Sequence, residues 1–238
     1  MKKAKLKILS TKALSREVVY KAGLQDILID ETPFITTAPI NTDDLKKTLK
    51  GFLQQNITAV FTSKNAVQAF DQIVNAEVPW KIFCIGQSTQ KLVAKIFGEE
   101  KISGIADNAA ELSEVILQDK EIKKIIFFCG NQRREELPQK LTADAIEVEE
   151  IIVYETSETP QKLSRKAFDG ILFFSPSAVK SFFSLNKING QTQIFAIGKT
   201  TADAIHQHTN KDLIIAEVPS EEEMIEKVIA HFSTTKIA

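Results

Sequence analysis

The chain has 238 residues, of which 43% are hydrophobic and 26% charged, and it contains only 9 glycines and 7 prolines. This composition excludes a disordered chain and a collagen-like repeat. Because 30 Lys and Arg residues stand against 31 Asp and Glu residues, the formal net charge is -1, which argues against a strongly basic nucleic-acid-binding protein.

Short apolar runs rich in Ile, Val and Phe alternate with amphipathic stretches along the chain. The predicted strands are Lys5–Leu9, Ile27–Ile29, Ile57–Phe61, Ile82–Ile85, Lys124–Cys129, Glu147–Val153, Gly170–Phe174, Gln193–Ile197 and Leu213–Ile215. Helical spacing of apolar residues predicts helices between them, most clearly at Thr42–Gln54, at Ala66–Val74 and after the capping box at Ser220–Glu223. Strands that are apolar throughout and separated by helices are typical of parallel sheets covered on both faces, so we expect an α/β fold.

Two short elements of the sequence occur twice. FTSKNAV, beginning at Phe61, returns as FFSPSAV at Phe173, and IGQST, beginning at Ile85, returns as IGKTT at Ile197. The distance between the two elements is the same in both copies. The chain therefore divides into two α/β halves of similar build.

Two segments with polar and β-branched residues interrupt the alternation, at 34–39 with a proline at each end and at 151–159 with Pro160 after it. Proline restricts such segments to sheet edges, so both suit extended linker strands. If they pair with each other, residues 1–33 and 160–238 form a first, discontinuous α/β domain, and residues 40–150 form a second, inserted one. We therefore expect two similar domains with helix-flanked parallel sheets, joined by a two-stranded β linker.

The repeated elements place small polar residues where a predicted strand ends and a helix begins. Ligands bind at the carboxyl edge of open parallel sheets, and the free N–H groups of helix N-termini suit anions. Glycine there lets the backbone turn sharply or approach a ligand closely. The candidate anion-binding residues are Ser63, Gly86, Thr89, Ser175, Gly198 and Thr201. For any one of them, a role as an N-cap or turn residue alone is the competing explanation.

Other chemical signals are weak. His206 and His208 lie two apart, so a helix would not present both to one metal, and no metal site is expected. Cys84 and Cys129 lie inside apolar runs and are interpreted as buried free thiols in a reducing cytoplasm, without a nucleophile triad. No run of about 18 apolar residues occurs, and the apolar stretch after the basic start is too short for a signal peptide, so we expect a cytoplasmic protein that binds no membrane.

In combination the motifs resemble those of uroporphyrinogen-III synthases. The matching segments, in the order of that family, are Ile8–Lys12, Phe61–Val67, Ile85–Thr89, Phe128–Gly130 with Arg133 or Arg134, Val153–Thr156, Phe173–Val179 and Ala196–Ala202. The resemblance implies a monomer of two α/β domains with the active site in the cleft between them. It implies a cofactor-free lyase of tetrapyrrole (haem) biosynthesis, which removes water from hydroxymethylbilane, inverts its last pyrrole ring and closes the macrocycle to uroporphyrinogen III.

The resemblance also assigns residues. It implies that Tyr154, within the second linker segment, is catalytic: a phenol is protonated at neutral pH, can donate to the departing hydroxyl, and can face the resulting azafulvene cation. An ordinary amphipathic linker tyrosine is the alternative. The substrate carries eight carboxylates, and the residues expected to bind it are Lys12, Ser63, Lys64, Asn65, Gly86, Ser88, Thr89, Gly130, Arg134, Ser175, Ser177, Gly198, Lys199 and Thr201.

Two matches depart from the family pattern. Lys12 stands where many members have arginine, and an ammonium cannot bind a carboxylate in the bidentate manner of a guanidinium. Arg133 and Arg134 differ by one position in their match, and either could bind an anion or form an ion pair with Glu136 or a neighbour. A non-enzymatic two-domain protein whose cleft binds a carboxylate or phosphate ligand is the alternative function, since the repeats would serve either.

Overall fold

A computed structural model describes residues 5–74, 76–164, 168–188 and 190–234. The strands are β1 (Leu6–Ser10), β2 (Ile27–Glu31), β3 (Ile35–Pro39), β4 (Thr58–Phe61), β5 (Lys81–Ile85), β6 (Ile102–Ala106), β7 (Lys124–Gly130), β8 (Glu147–Glu158), β9 (Gly170–Phe173), β10 (Gln193–Ala196) and β11 (Leu213–Ile215). The helices are α1 (Arg16–Leu24), α2 (Asp43–Phe52), α3 (Lys64–Val74), α4 (Gln87–Phe97), α5 (Ala109–Gln118), α6 (Glu136–Ala143), α7 (Pro176–Leu185), α8 (Lys199–His206) and α9 (Glu221–Thr234).

The chain forms two compact units. Unit 1 comprises Met1–Thr36 and Ser157–Ala238, and unit 2 comprises Thr37–Thr156. The chain passes from one unit to the other within β3 and again within β8, inside the two segments that the sequence assigns to linkers. Each unit has its own sheet and its own core, as an independent domain requires.

Unit 1 contains a five-stranded sheet in the order β11-β10-β9-β1-β2, with every pair parallel. Successive residues of a strand point to opposite faces, so Ile8 and Leu9 of β1 enter different core clusters. Helices cover both faces, α7 and α8 packing with Leu9, and α1 and α9 packing with Ile8. This arrangement confirms the predicted α/β class.

Unit 2 contains a six-stranded sheet in the order β3-β8-β7-β4-β5-β6. The pairs from β8 to β6 are parallel. One face carries a cluster of aromatic rings, in which Phe61 stacks on Phe128 with ring centroids 5.1 Å apart and Trp80 stacks on Phe128 at 5.4 Å. The Trp80 indole N–H donates to the carbonyl of Phe52 at 3.1 Å, so the polar atom of this buried ring is satisfied.

The two sheets share one strand order. Strands β2-β1-β9-β10-β11 of unit 1 correspond in sequence of pairing to β8-β7-β4-β5-β6 of unit 2. The repeated sequence elements occupy matching places, since β4-α3-β5-α4 and β9-α7-β10-α8 are the same succession. The halves differ in connection: β1 and β2 come first in the chain of unit 1, whereas β7 and β8 come last in unit 2.

The nine strands predicted from apolar runs are present, and all but one of their ends lie within two residues of the prediction. The largest difference is at β8, which continues without a break from Glu147 to Glu158 and so includes the segment predicted as a separate linker strand. Strand β6 was not predicted, because Ser103 and Gly104 interrupt its apolar pattern. Gly104 is needed there, since a Cβ would approach Phe83 Cδ1 and Val115 Cγ1 to 2.6 Å.

Candidate functional site

The carboxyl edge of the sheet in unit 2 brings together residues that are distant in sequence. Strands β8, β7, β4 and β5 are neighbours, and at this edge they carry Tyr154, Gly130, Ser63 and Gly86. The chain leaves β4 toward β5 and leaves β7 toward β8, in opposite directions. Such a switch point is where open α/β sheets bind ligands.

Ser63 is fixed at the start of α3 by its own backbone and side chain. Its hydroxyl accepts the N–H of Ala66 at 3.3 Å, which is the N-cap interaction that small hydroxyl residues provide. The same oxygen lies 3.3 Å from the Tyr154 hydroxyl. Ser63 therefore is an N-cap residue, as the competing explanation has it, and its hydroxyl also contacts that of Tyr154.

Tyr154 is half-buried and lies at a small cavity of about 100 Å³. The lining residues are Thr37, Ala38, Pro39, Asn65, Gln68, Ala69, Gln72 and Tyr154. Two larger surface hollows, of about 590 and 670 Å³, lie elsewhere on unit 2 and contain none of the predicted site residues. The first of them opens at the amino ends of β4, β5 and β7, opposite to the edge at which parallel sheets bind ligands.

In the second repeated element, the two glycines differ in backbone conformation, whereas the two threonines are equally buried. Gly86 has φ +77°, a left-handed conformation that favours glycine, whereas Gly198 is extended with φ 175° and has no such requirement. Thr89 and Thr201 are each 3% exposed and pack within their own units. The exposed surface at the start of α4 and α8 is therefore supplied by neighbours such as Ser88 and Lys199.

The switch point of unit 1 lies between β1 and β9. Ser175 caps α7, accepting the N–H of Ala178 at 3.2 Å. The fully buried Thr11 donates its hydroxyl to the carbonyl of Leu172 at 2.8 Å. Lys12 contacts Glu221 at 2.5 Å and lies 5.0 Å from the centre of the Phe174 ring, so its ammonium is engaged within unit 1.

The remaining predicted binding residues lie at these same edges. They are Lys64 and Asn65 in the first turn of α3, Ser177 in the first turn of α7, and Arg134 in the loop after β7. Arg133 forms ion pairs with Glu150 of β8 and, at 3.0 Å, with Glu135. Glu135 is a neighbour of Glu136, so the ion-pair alternative holds for Arg133, and the hydrogen bond to Glu150 raises the pKa of Arg133.

The cysteines and histidines form no second reactive centre within the described ranges. Burial raises the pKa of Cys84 to about 11 and that of Cys129 to about 12, so both thiols are protonated at neutral pH. His208 stacks on the Phe183 ring at 4.7 Å. Among the residues that the structure describes, no group of three or more His, Cys, Asp and Glu residues is placed to hold a metal ion. Over the same part of the chain, none of the helices combines the length and apolarity that a membrane span requires.

Comparison with known proteins reveals one consistent family. The profile of the family described as uroporphyrinogen-III synthase HemD matches residues 21–226. A uroporphyrinogen-III synthase of Chlorobaculum parvum is 26% identical over 178 residues, which are 66% of this chain and 72% of that protein. A uroporphyrinogen-III synthase of Saccharomyces cerevisiae is 20% identical over 215 residues, 76% of this chain and 78% of that protein.

Solved structures share the fold at lower sequence identity. A mutant uroporphyrinogen III synthase from Thermus thermophilus superposes with a TM-score of 0.65 at 12% identity, covering 96% of this chain and 99% of that one. A uroporphyrinogen-III synthetase from Helicobacter pylori gives a TM-score of 0.66 at 17% identity, covering 95% and 99%. Both likenesses extend over nearly the whole of each chain.

Proposed function

The chain belongs to the uroporphyrinogen-III synthase family, and from this premise we propose that it converts hydroxymethylbilane to uroporphyrinogen III with Tyr154 as the proton donor. It is a lyase of tetrapyrrole biosynthesis. The alternative of a non-enzymatic binding protein is not favoured, because the curated relatives and the structural neighbours are named as the synthase.

The proposed reaction needs an acid at its first step. The C–O bond of the substrate's hydroxymethyl group breaks, and the oxygen leaves as water with the phenol proton of Tyr154, so that a cationic azafulvene remains. The substituted carbon of ring D then attacks the exocyclic methylene of this cation and forms a spiro intermediate. The original bond between that carbon and the methylene bridge to ring C breaks, which leaves a second azafulvene cation on ring C. The free α carbon of ring D attacks this cation, so that ring D is inverted and the macrocycle closes. The proton lost on closure returns to the phenolate, and the net change is the loss of one water.

The observation that carries this proposal is the hydroxyl pair at the switch point of unit 2. Tyr154 Oη and Ser63 Oγ are 3.3 Å apart, and Ser63 also accepts the N–H of Ala66. A serine hydroxyl has one proton to donate and two lone pairs, so Ser63 can donate to the phenol oxygen while it caps α3. The phenol proton is then directed away from Ser63, as donation to a leaving hydroxyl requires.

Binding of the carboxylates is proposed to use helix N-termini rather than a basic surface. Helices α3, α4, α7 and α8 all begin at the carboxyl edges of their sheets, where free N–H groups and the positive end of the helix dipole favour anions. Lys64 and Lys199 are the first residues of α3 and α8 and add positive charge at that point. That both edges bind one substrate molecule stays a prediction from the family resemblance.

Orientation is the second contribution proposed for the protein. The substrate closes unaided to the type I isomer, so the enzyme must hold ring D bent until its substituted carbon attacks. Positioning of this kind can lower a barrier by about 7–11 kcal/mol in ideal cases. The aromatic ring of Tyr154 adds a face that can stabilise the azafulvene cation.

Product analysis tests the function directly. The protein is mixed with freshly prepared hydroxymethylbilane, the products are oxidised, and the isomers are separated by chromatography. Uroporphyrin III as the main isomer is expected. Only the type I isomer, at the rate of the uncatalysed control, would reject the enzyme.

The proposal includes a cytoplasmic monomer. Both cysteines are buried free thiols, as a reducing compartment maintains them. A mass near 26.5 kDa by light scattering during gel filtration would support the monomer. A mass of twice that value at the same concentration would contradict it.

A further inference from the structure

We propose that Gly130 and Asn131, at the end of β7, are positioning residues that hold Tyr154 in its reactive place. The inference rests on the proposed function and changes one of its assignments, since Gly130 was expected to contact the substrate. Three observations support it: a slip in the pairing of β7 with β8, the space above Gly130, and the hydrogen bonds of Asn131.

The pairing of β7 with β8 slips by one residue at the site. Residues are paired in step from Lys124 with Glu147 to Cys129 with Ile152, and the next pair is Gly130 with Tyr154. Val153 is the extra residue of this bulge and is fully buried. Bulges of this kind redirect side chains near active sites, and here the slip places Tyr154 directly across from Gly130.

The tyrosine ring occupies the space that a side chain on β7 would need. A Cβ built on Gly130 would lie only 2.6 Å from Tyr154 Cε2 and 2.8 Å from its hydroxyl oxygen. Ser63 follows β4, two strands away from β8, and neighbouring strands are about 4.8 Å apart. The ring therefore crosses over β7 to reach Ser63, and only glycine on β7 leaves that path open.

Asn131 fixes the backbone at Tyr154 and two residues after it. Its main-chain N–H donates to the carbonyl of Tyr154 at 3.2 Å. Its side-chain oxygen accepts the N–H of Thr156 at 2.8 Å, and its side-chain nitrogen donates to the carbonyl of Thr156 at 3.3 Å. The asparagine amide thus continues the ladder beyond the bulge, so that the strand carrying Tyr154 cannot slip further along β7.

Together these contacts set both the position and the direction of the phenol. Gly130 leaves space for the ring, Asn131 holds the backbone that carries it, and Ser63 hydrogen-bonds to the phenol oxygen. A reacting group must be held to a fraction of an ångström, and residues that do not touch the substrate supply that precision. Nothing in the sequence predicts this role for Asn131, although a Gly-Asn pair directly after a buried strand is the local signal that could suggest a special backbone.

Gly130→Ala is the first test, with Gly104→Ala as the matched control. Both variants overpack the sheet of unit 2, but the added methyl group at Gly104 meets Phe83 and Val115 rather than Tyr154. At temperatures where both are folded, we expect Gly130→Ala to lower the initial rate of type III formation at least tenfold. Gly104→Ala should keep the rate per folded molecule, and equal losses in the two variants would overturn the proposal.

A Tyr154→Ala background distinguishes positioning from substrate contact. If Gly130 acts only through the tyrosine, adding Gly130→Ala to Tyr154→Ala leaves the residual rate unchanged. A further drop of tenfold would mean that Gly130 acts on the substrate directly. Asn131→Ala, at an exposed position, should lower kcat several-fold in the wild-type background. The Gln132 side-chain nitrogen also donates to the carbonyl of Thr156, at 3.1 Å, and Gln132→Ala should have a smaller effect because Asn131 still holds Thr156.

NMR spectroscopy tests the position of the Tyr154 ring independently of activity. The chain has two tyrosines, so Tyr20→Phe leaves Tyr154 as the only one, and its ¹³C-labelled ring can be followed by NMR. Gly130→Ala is expected to shift these ring signals strongly, and Gly104→Ala is expected to leave them in place. Unshifted signals in Gly130→Ala would overturn the positioning role even in an active enzyme. Absence of type III product from the wild type would refute the proposed function, whereas the NMR comparison would still test whether Gly130 positions the Tyr154 ring.

Discussion

The two units have the same strand order but differ in what fills the switch point. In unit 2, β7 ends in a glycine, and the ring of Tyr154 lies over it with its hydroxyl 3.3 Å from Ser63. In unit 1, the corresponding strand β1 ends in Ser10, followed by Thr11, and both are fully buried. The Ser10 hydroxyl donates to the carbonyl of Lys12 at 2.7 Å, and Thr11 donates to that of Leu172 at 2.8 Å.

The difference shows how one framework can serve two purposes. The polar groups at the switch point of unit 1 satisfy one another, which stabilises the edge but leaves few hydroxyls for a substrate. Unit 2 keeps a half-buried phenol beside a capped helix and a small cavity. We therefore propose that proton transfer takes place at unit 2. The N-termini of α7 and α8 in unit 1 are predicted to bind carboxylates, as are those of α3 and α4 in unit 2.

The largest expected effect concerns the two cores. Phe61 and Phe173 occupy matching places in the repeats and are both fully buried, so replacing either with alanine should cost about 3–5 kcal/mol. Trp80 is the only tryptophan and lies in unit 2, so its fluorescence follows that unit during denaturation. Phe61→Ala should lower the denaturation midpoint measured by Trp80 fluorescence. Phe173→Ala should lower mainly the midpoint measured by circular dichroism. Equal shifts of both probes in both variants would mean that the units unfold together.

Tyr154→Phe tests the proposed acid, with Tyr20→Phe as its control. Loss of a positioned proton donor typically costs about 10²-fold or more in rate, and we expect a loss of that order in type III formation. Tyr20 is 70% exposed in unit 1, and its replacement should change neither rate nor stability. Near-normal turnover by Tyr154→Phe would remove this residue from the mechanism, and a loss of only a few-fold would favour an orienting role.

Ser63→Ala and Ser175→Ala compare the two helix caps. Each hydroxyl accepts the N–H of the third residue after it, so each variant should lose about 1 kcal/mol of stability. Only Ser63 also faces the tyrosine, so Ser63→Ala should lower kcat several-fold, whereas Ser175→Ala should act mainly through KM. Steady-state kinetics distinguishes the two, and an equal fall in kcat would contradict the difference between the units.

The smallest expected effect is a pH dependence in unit 1. Burial raises the pKa of Glu221, but the hydrogen bonds from Lys12 and from the N–H of Ser15 outweigh it, and the pKa is lowered overall. A carboxyl whose folded pKa is lowered stabilises the protein above its unfolded pKa, and that contribution is lost as the pH falls through the folded value. Glu221→Gln should therefore cost up to about 1 kcal/mol at pH 7 and progressively less below about pH 4.5.

Thermal unfolding across this pH range measures the difference. Glu222→Gln, at the neighbouring position, is the control and should change little at any pH. A Glu221→Gln deficit that persists undiminished at about pH 3, below the usual carboxyl range, would show that the carboxylate charge contributes nothing.

Local patterns were sufficient to predict much of the fold and part of the site. Apolar runs located nine strands, and the repeated Ser-x-x-Ala elements located the caps at Ser63 and Ser175, because both features depend on residues close in sequence. The α/β class followed from the same alternation. Resemblance, rather than any pattern around it, singled out Tyr154.

The remaining features depend on contacts between distant segments. The slip that sets Tyr154 against Gly130 is decided by how β7 and β8 pack, and neither strand alone reveals it. The burial of Thr89 and Thr201 likewise results from packing of their helices on the sheets. Strand β6 was not predicted because glycine in a sequence is typical of a turn. In the fold, Gly104 lies in the strand because Phe83 and Val115 leave no room for a side chain there.

We propose that the tetrapyrrole binds at the edge of unit 2 that bears Tyr154. The most direct measurement follows the Tyr154 ring signals of the ¹³C-labelled Tyr20→Phe protein by NMR while uroporphyrinogen III is added under anaerobic conditions. A saturable shift of these signals, with the same dissociation constant as calorimetry gives, is the predicted result. Binding detected by calorimetry without any change in the Tyr154 signals would contradict the account.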